Sequence, residues 1–185
     1  MRQAIGPRRE LGIRTVFNVL GPLTNPARAQ IQLLGVYDRL LTEPLAQVLQ
    51  SLGCRSAFVV HGGGGMDELS TLGDNRVTRL ADGRIESFTL DPVSLGFSPA
   101  SLSDIEGGSA QQNARILIDL LDGRQGPKRD VVLLNAAFVL VAAGQASGIP
   151  EGIAVAAESV DSGAARGRLD GLIAMTQRLG ARHDS

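Results

Sequence analysis

At 185 residues the chain fits one medium domain and is long enough to bury a core of its own. Its 18 basic and 19 acidic residues leave a formal charge of −1, spread along the chain, which argues against a nucleic-acid or membrane surface built on bulk charge. A single cysteine, Cys54, excludes an internal disulfide and suits a reducing cytoplasm, where a small apolar filler is its expected role.

The first residues, MRQAIGPRRE, lack the apolar stretch of a secretory signal. Further on, the two prolines and the glycine of Gly21-Pro22-Leu23-Thr24-Asn25-Pro26 predict a rigid, extended path. Residues 29–37 read as a strand and 41–52 as a helix with apolar residues at helical spacing. Residues 55–61 read as a short, β-branched, buried strand, closed by four glycines at 62–65. A strand, a helix and a strand with short links predict a right-handed βαβ unit.

Residues 76–80 and 85–90 flank Ala81-Asp82-Gly83-Arg84, where Asp-Gly predicts a hairpin turn. Residues 91–108, with Pro92, Pro99 and three glycines, read as an irregular connection. Three helices follow, over 110–121, 129–143 and 150–179. The second is apolar on nearly every face and is expected to pack on the sheet. Its most apolar run, 131–143, is too short to cross a bilayer and is interrupted by Asn135. The third is expected to break near Asp161-Ser162-Gly163. Together these elements predict an α/β domain over 1–180, a central and mostly parallel sheet flanked by helices, with 181–185 as a flexible tail.

Asp67 and Glu68 are the leading candidates for chemistry. They follow an apolar strand and the glycine run, near a strand's C-terminal end, where open α/β sheets bind ligands. Neighbouring residues on a strand point to opposite faces, so both carboxylates can serve one ion only from a loop or a helix start. The glycines supply that freedom. Magnesium takes one or two carboxylates, waters and phosphate oxygens, which this pair can support. The same pair also reads as the acidic first turn of a helix, favoured there by the backbone dipole. His61 reads as a strand-end residue, since no partner of fixed spacing accompanies it, and His183 as solvated. No G-x-G-x-x-G, P-loop, Cys-x-x-Cys or nucleophile-elbow pattern occurs.

Residues 14–26, Arg-Thr-Val-Phe-Asn-Val-Leu-Gly-Pro-Leu-Thr-Asn-Pro, followed by Gly65-Met66-Asp67-Glu68-Leu69-Ser70, resemble the second half of an anthranilate phosphoribosyltransferase. Later markers are Gly126-Pro127-x-Arg129-Asp130, Leu134-Asn135-Ala136-Ala137 and Asp161-Ser162-Gly163-Ala164, so the likeness runs over about residues 5–172. The resemblance implies an incomplete nucleoside phosphorylase/phosphoribosyltransferase catalytic domain. It implies transfer of phosphoribose from phosphoribosyl pyrophosphate to the amino group of anthranilate, a step of tryptophan biosynthesis. It further implies that Asp67 and Glu68 bind Mg2+ and that Arg8, in Pro7-Arg8-Arg9-Glu10-Leu11, contacts the anthranilate carboxylate. A planar guanidinium grips a carboxylate through two parallel hydrogen bonds. Pro22 would lie near the aromatic ring, and no residue is implied as an acid–base catalyst. Pro7 stands where the family commonly has valine, and it can start the helix at that point.

The family's Gly-Thr-Gly-Gly-Asp loop, which holds the donor's pyrophosphate, and its Lys-His-Gly-Asn segment, which helps bind both substrates, occur nowhere in these residues. The resemblance therefore implies half a site: little turnover by the chain alone and poor binding of the donor. Family members are usually homodimers, largely through a helical domain mostly absent from these residues, which leaves this chain's own oligomeric state open. Composition and charge point to a cytoplasmic location with no nucleic-acid or membrane partner. Two other readings use the same residues. A pyrimidine nucleoside phosphorylase-like enzyme shares the architecture but not the 14–26 run, and a non-catalytic nucleic-acid- or ligand-binding relative is expected to show a basic groove.

Overall fold

A computed structural model describes residues 21 and 23–180 of the chain. Strand β1 (Ile31–Gly35) leads through a 3-10 turn to helix α1 (Thr42–Ser51) and back to β2 (Ser56–His61). Strands β3 (Asn75–Ala81) and β4 (Arg84–Leu90) form the hairpin, and the order across the sheet is β1-β2-β3-β4. The hairpin turn follows from its sequence: Asp82 and Gly83 both take positive φ, at 50° and 72°, the twist that a two-residue hairpin requires.

β1 and β2 run parallel, pairing Leu34 with Val59, as the βαβ reading requires. β2–β3 and β3–β4 are antiparallel. The α/β class holds, but the sheet is mixed rather than mostly parallel among the described residues. The β3–β4 reversal is local, since a two-residue turn can join only antiparallel neighbours, whereas the β2–β3 reversal depends on where the 62–74 loop returns the chain.

Alternation along β2 divides the core. Ala57 and Val59 face α1 and pack with Leu34, Leu45, Leu49, Cys54 and Leu80. Phe58 and Val60 face the other way, onto Leu134, Phe138 and Ala142 of α4 (Pro127–Ala142). The Phe58 and Phe138 rings meet edge to face at 4.8 Å. Both faces of β2 are covered, which explains its unbroken apolar run. Cys54 fills space in the first cluster, and burial pushes its thiol up.

The connection over 91–108 is more ordered than its composition predicts. It holds a 3-10 turn at Pro92–Leu95, capped by Asp91, and the one-turn helix α2 (Leu102–Ile105) with a Ser101–Asp104 capping box. Helix α3 (Ala110–Leu121) starts at a second capping box, Ser109 with Gln112. α4 begins two residues before the expected start because Pro127 suits a first helical position.

α4 is apolar nearly all round because it lies between the sheet and helix α5 (Ile149–Asp161), which it meets through Leu133, Ala156 and Val160. The crossing is close: a Cβ on Gly152 would come within 2.8 Å of the Ala137 carbonyl oxygen. The long third helix breaks where expected. α5 ends at Asp161, Gly163 takes a φ of 77°, and α6 (Ala164–Gly180) follows. The 181–185 tail lies outside the described residues, as do Arg8 and Pro22.

Candidate carboxylate site

The parallel pair ends at Gly35 on β1 and His61 on β2. Beyond β2 the chain turns through Gly63–Gly65, where Gly64 and Gly65 take φ of 73° and 81°. It then doubles back, and the Gly62 N–H donates to the Met66 carbonyl at 2.8 Å. Asp67 and Glu68 follow in a bend, both exposed. No helix begins there, so the pair is a loop pair and the helix-start reading of the acids is set aside.

Two glycines seat this bend on the strand ends. A Cβ on Gly35 would fall 1.4 Å from the Asp67 carbonyl oxygen, and one on Gly62 would fall 1.9 Å from that of Glu68. No side chain fits at either place, so the main chain that carries both carboxylates rests directly on β1 and β2.

The next two residues are fastened from both sides. Leu69 is fully buried in the α4-side core. Its N–H donates to Asn135 Oδ1 on α4 at 3.1 Å, and its carbonyl accepts from Asn135 Nδ2 at 2.7 Å. The Ser70 N–H donates to Asn75 Oδ1 at 2.8 Å, and the Ser70 carbonyl accepts from Asn75 Nδ2 at 3.0 Å. Ser70 Oγ donates to the Gly63 carbonyl at 2.7 Å, closing the glycine turn onto the loop.

His61 Nδ1 lies 2.9 Å from the Val36 carbonyl. A carbonyl only accepts, so Nδ1 carries the proton and ties the ends of β1 and β2 together. Beside Glu68 opens a cavity of about 270 Å³, mostly apolar, lined in part by Met66, Ile105, Val131, Asn113 and Lys128. Lys128 Nζ closes one edge by donating to the carbonyls of Asp104 and Glu106 at 2.9 and 2.7 Å. Asn113 clasps Gly108 through both its N–H and its carbonyl.

Among the described residues no group of three or more His, Cys, Asp or Glu converges on one point. An ion held here would therefore take two carboxylates at most from these residues and fill its shell with water and ligand oxygens. That donor set suits magnesium, which keeps waters and shares substrate phosphates, and does not suit zinc, which seeks nitrogen and sulfur. The acid pair would fit a magnesium ion on that ground.

Of the residues singled out from sequence, the structure describes Asp67 and Glu68 and gives them one loop. The sequence reading assigned Asn135 no chemistry and passed over Asn75 and Gly35, all of which support that loop. Asn135 did carry a signal, because a polar side chain interrupting an apolar helix needs a partner.

Residues 1–166 match the profile of the glycosyl transferase family, a/b domain. The chain belongs to that family. It is 53% identical over 176 residues to an anthranilate phosphoribosyltransferase of Geobacter sp. (strain M21), covering 95% of this chain and 50% of the relative. It is 50% identical over 181 residues to that of Moorella thermoacetica, covering 98% and 53%. Among solved structures it is similar to anthranilate phosphoribosyltransferase from Thermus thermophilus, with a TM-score of 0.86 at 42% identity over 94% of this chain and 51% of that one. The yeast enzyme, solved in complex with PRPP and Mg, matches with a TM-score of 0.78 at 33% identity over 88% of this chain and 47% of that one. The chain spans about half the length of the curated relatives it matches.

Proposed function

We propose that this chain carries the metal-binding carboxylates and part of the acceptor site for transfer of phosphoribose from phosphoribosyl pyrophosphate to anthranilate. The observation that carries the reading is the Asp67–Glu68 bend, held by glycine seats at the C-terminal ends of a parallel strand pair. The naming of its relatives supports the reading. So does the yeast enzyme, solved both with PRPP and Mg and with 4-fluoroanthranilate.

In this reading Asp67 and Glu68 hold one magnesium ion, which when bound offsets the negative charge that develops on the departing pyrophosphate. The bend fixes the main chain from which both carboxylates project. Arg8 grips the anthranilate carboxylate, and Pro22 lies against its ring. An aromatic amine is already nucleophilic, so the amino nitrogen attacks the ribose C1 as the C1–pyrophosphate bond breaks, and the proton shed by the new secondary amine passes to the departing pyrophosphate or to water. Orientation rather than a general base supplies much of the acceleration.

The same reading makes residues 1–180 one domain with a short tail, and makes the enzyme a cytoplasmic homodimer with no nucleic-acid partner. No helix among the described residues is long and apolar enough to cross a membrane.

Two samples test the proposal by anthranilate fluorescence, with phosphoribosyl pyrophosphate and magnesium present. The purified chain is expected to consume anthranilate negligibly. A chimera that places the N-terminal part of the Geobacter relative before this chain is expected to consume it, with Asp67→Ala abolishing the signal. A folded, inactive chimera would refute the assignment. Robust turnover by the chain alone would refute the half-site part of it.

A further inference from the structure

We infer that Asn135, on helix α4, is the positioning residue that sets the metal affinity of the Asp67–Glu68 loop. The inference rests on the metal role proposed above and assigns the residue behind it.

All three of its hydrogen bonds serve this purpose. Nδ2 donates one proton to the Leu69 carbonyl at 2.7 Å and the other to the Val131 carbonyl one turn back at 2.8 Å. Oδ1 accepts the Leu69 N–H at 3.1 Å. Both donors and one acceptor position are committed, so neither rotation nor an amide flip is available without breaking the set. The Val131 carbonyl anchors the amide to α4, and α4 is anchored to the sheet by Leu134, Phe138 and Ala142. The rigid body of the domain thus reaches the peptide group one residue after Glu68.

The opposite side of the loop is closed by Asn75, fully buried at the start of β3. The two asparagines together saturate both backbone groups of Leu69 and of Ser70. Asn75 also holds Gly63 and Gly73, so it builds the glycine turn itself. Asn135 bonds no other part of the loop. Its loss therefore frees the segment next to Glu68 while leaving the turn intact, which makes it the informative position.

The test uses the full chain, with Mn2+ as a paramagnetic probe of the site and water-proton relaxation as the readout. Asn135→Asp keeps the size and the acceptor, loses both donors, and sets a negative charge against the Leu69 and Val131 carbonyls. Its Mn2+ dissociation constant is expected to rise by about 10–100-fold, the range seen when groups that orient metal ligands are removed. Exchange of the Leu69 amide proton is expected to accelerate in parallel. Ala156→Gly, in the α4–α5 core and far from the loop, lowers stability without touching the site and is expected to leave Mn2+ affinity unchanged.

Asn135→Asp binding within about twofold of the parent, while Asp67→Ala loses binding, overturns the inference alone. No Mn2+ binding by the parent, or undiminished binding by Asp67→Ala, overturns the metal role and the inference together. If Asn135→Asp does not fold, Mg2+ titration of the 15N-labelled parent decides. The Asn135 side-chain amide and the Leu69 N–H are expected to shift together on saturation, and an unmoved Asn135 amide refutes the coupling.

Discussion

Gly35→Ala tests the seat of the carboxylate loop with the smallest available change. The added methyl carbon would lie 1.4 Å from the Asp67 carbonyl oxygen. A carbon–oxygen contact settles at about 3.3 Å, so the Asp67 peptide must retreat by roughly 1.9 Å or β1 must yield. β1 is hydrogen-bonded along β2 and packs on both core clusters, so the loop is the part that moves. Forcing an extra carbon into a filled contact costs about 1–3 kcal/mol. A ligand displacement on this scale exceeds the misplacement of about 1 Å that can cost 100-fold in function.

Urea unfolding and Mn2+ binding, measured on the same preparation, read the two effects. Stability is expected to fall by about 1–3 kcal/mol and Mn2+ affinity by at least about tenfold. Gly167→Ala is the matched control. Its new methyl would meet nothing within 4 Å, and it lies inside α6. There the same substitution is expected to stabilise by about 0.4–1 kcal/mol. Parent-like stability and affinity in Gly35→Ala would refute the claim that glycine at this position places the acids.

Other elements make separate predictions. Arg129 is 4% exposed and pairs with the half-exposed Asp161 at 2.9 Å, while its Nη1 has no partner among the described residues. Asp161→Asn is therefore expected to cost about 1–3 kcal/mol by stranding a buried cation. Arg129→Met is expected to cost less, and urea midpoints of the two variants decide the order. Ser147 holds the Glu151 carboxylate below its ordinary value of 4.5 through its hydroxyl and its N–H. A carboxylate with a depressed folded pKa contributes stability above the unfolded value and loses it as pH falls through the folded one. Glu151→Gln is expected to flatten the acid limb of the stability curve below about pH 4.5, and an unchanged limb refutes it. Burial pushes the Asp130 carboxyl up, against the pull of Arg129. Asp130→Asn is expected to be neutral or stabilising at pH 7 and to lose that advantage as pH falls. Cys54, buried with a raised thiol, is expected to react slowly with a thiol reagent until urea unfolds the chain.

What the sequence settled by itself were the elements whose cause is local. Asp82-Gly83 dictates its own positive-φ turn, and Ser109 with Gln112 starts α3 at the residue expected. Gly163 stops α5 because no side chain favours that backbone conformation. The alternating strand and helix pattern supplied the α/β class, and the Asp67–Glu68 pair stood out by its neighbours in the chain. Tertiary structure decided the rest. Glycines followed by two acids are locally consistent with either a helix start or a bend. The choice falls to Gly35, far upstream on β1, and to Asn135, 66 residues beyond Leu69. The sheet's mixed pairing likewise depends on where the 62–74 loop returns the chain, which the Asn75 network sets. Local propensity costs little to satisfy and is written in neighbouring residues. The position of a loop on a sheet end depends on contacts between residues that meet only once the chain has folded.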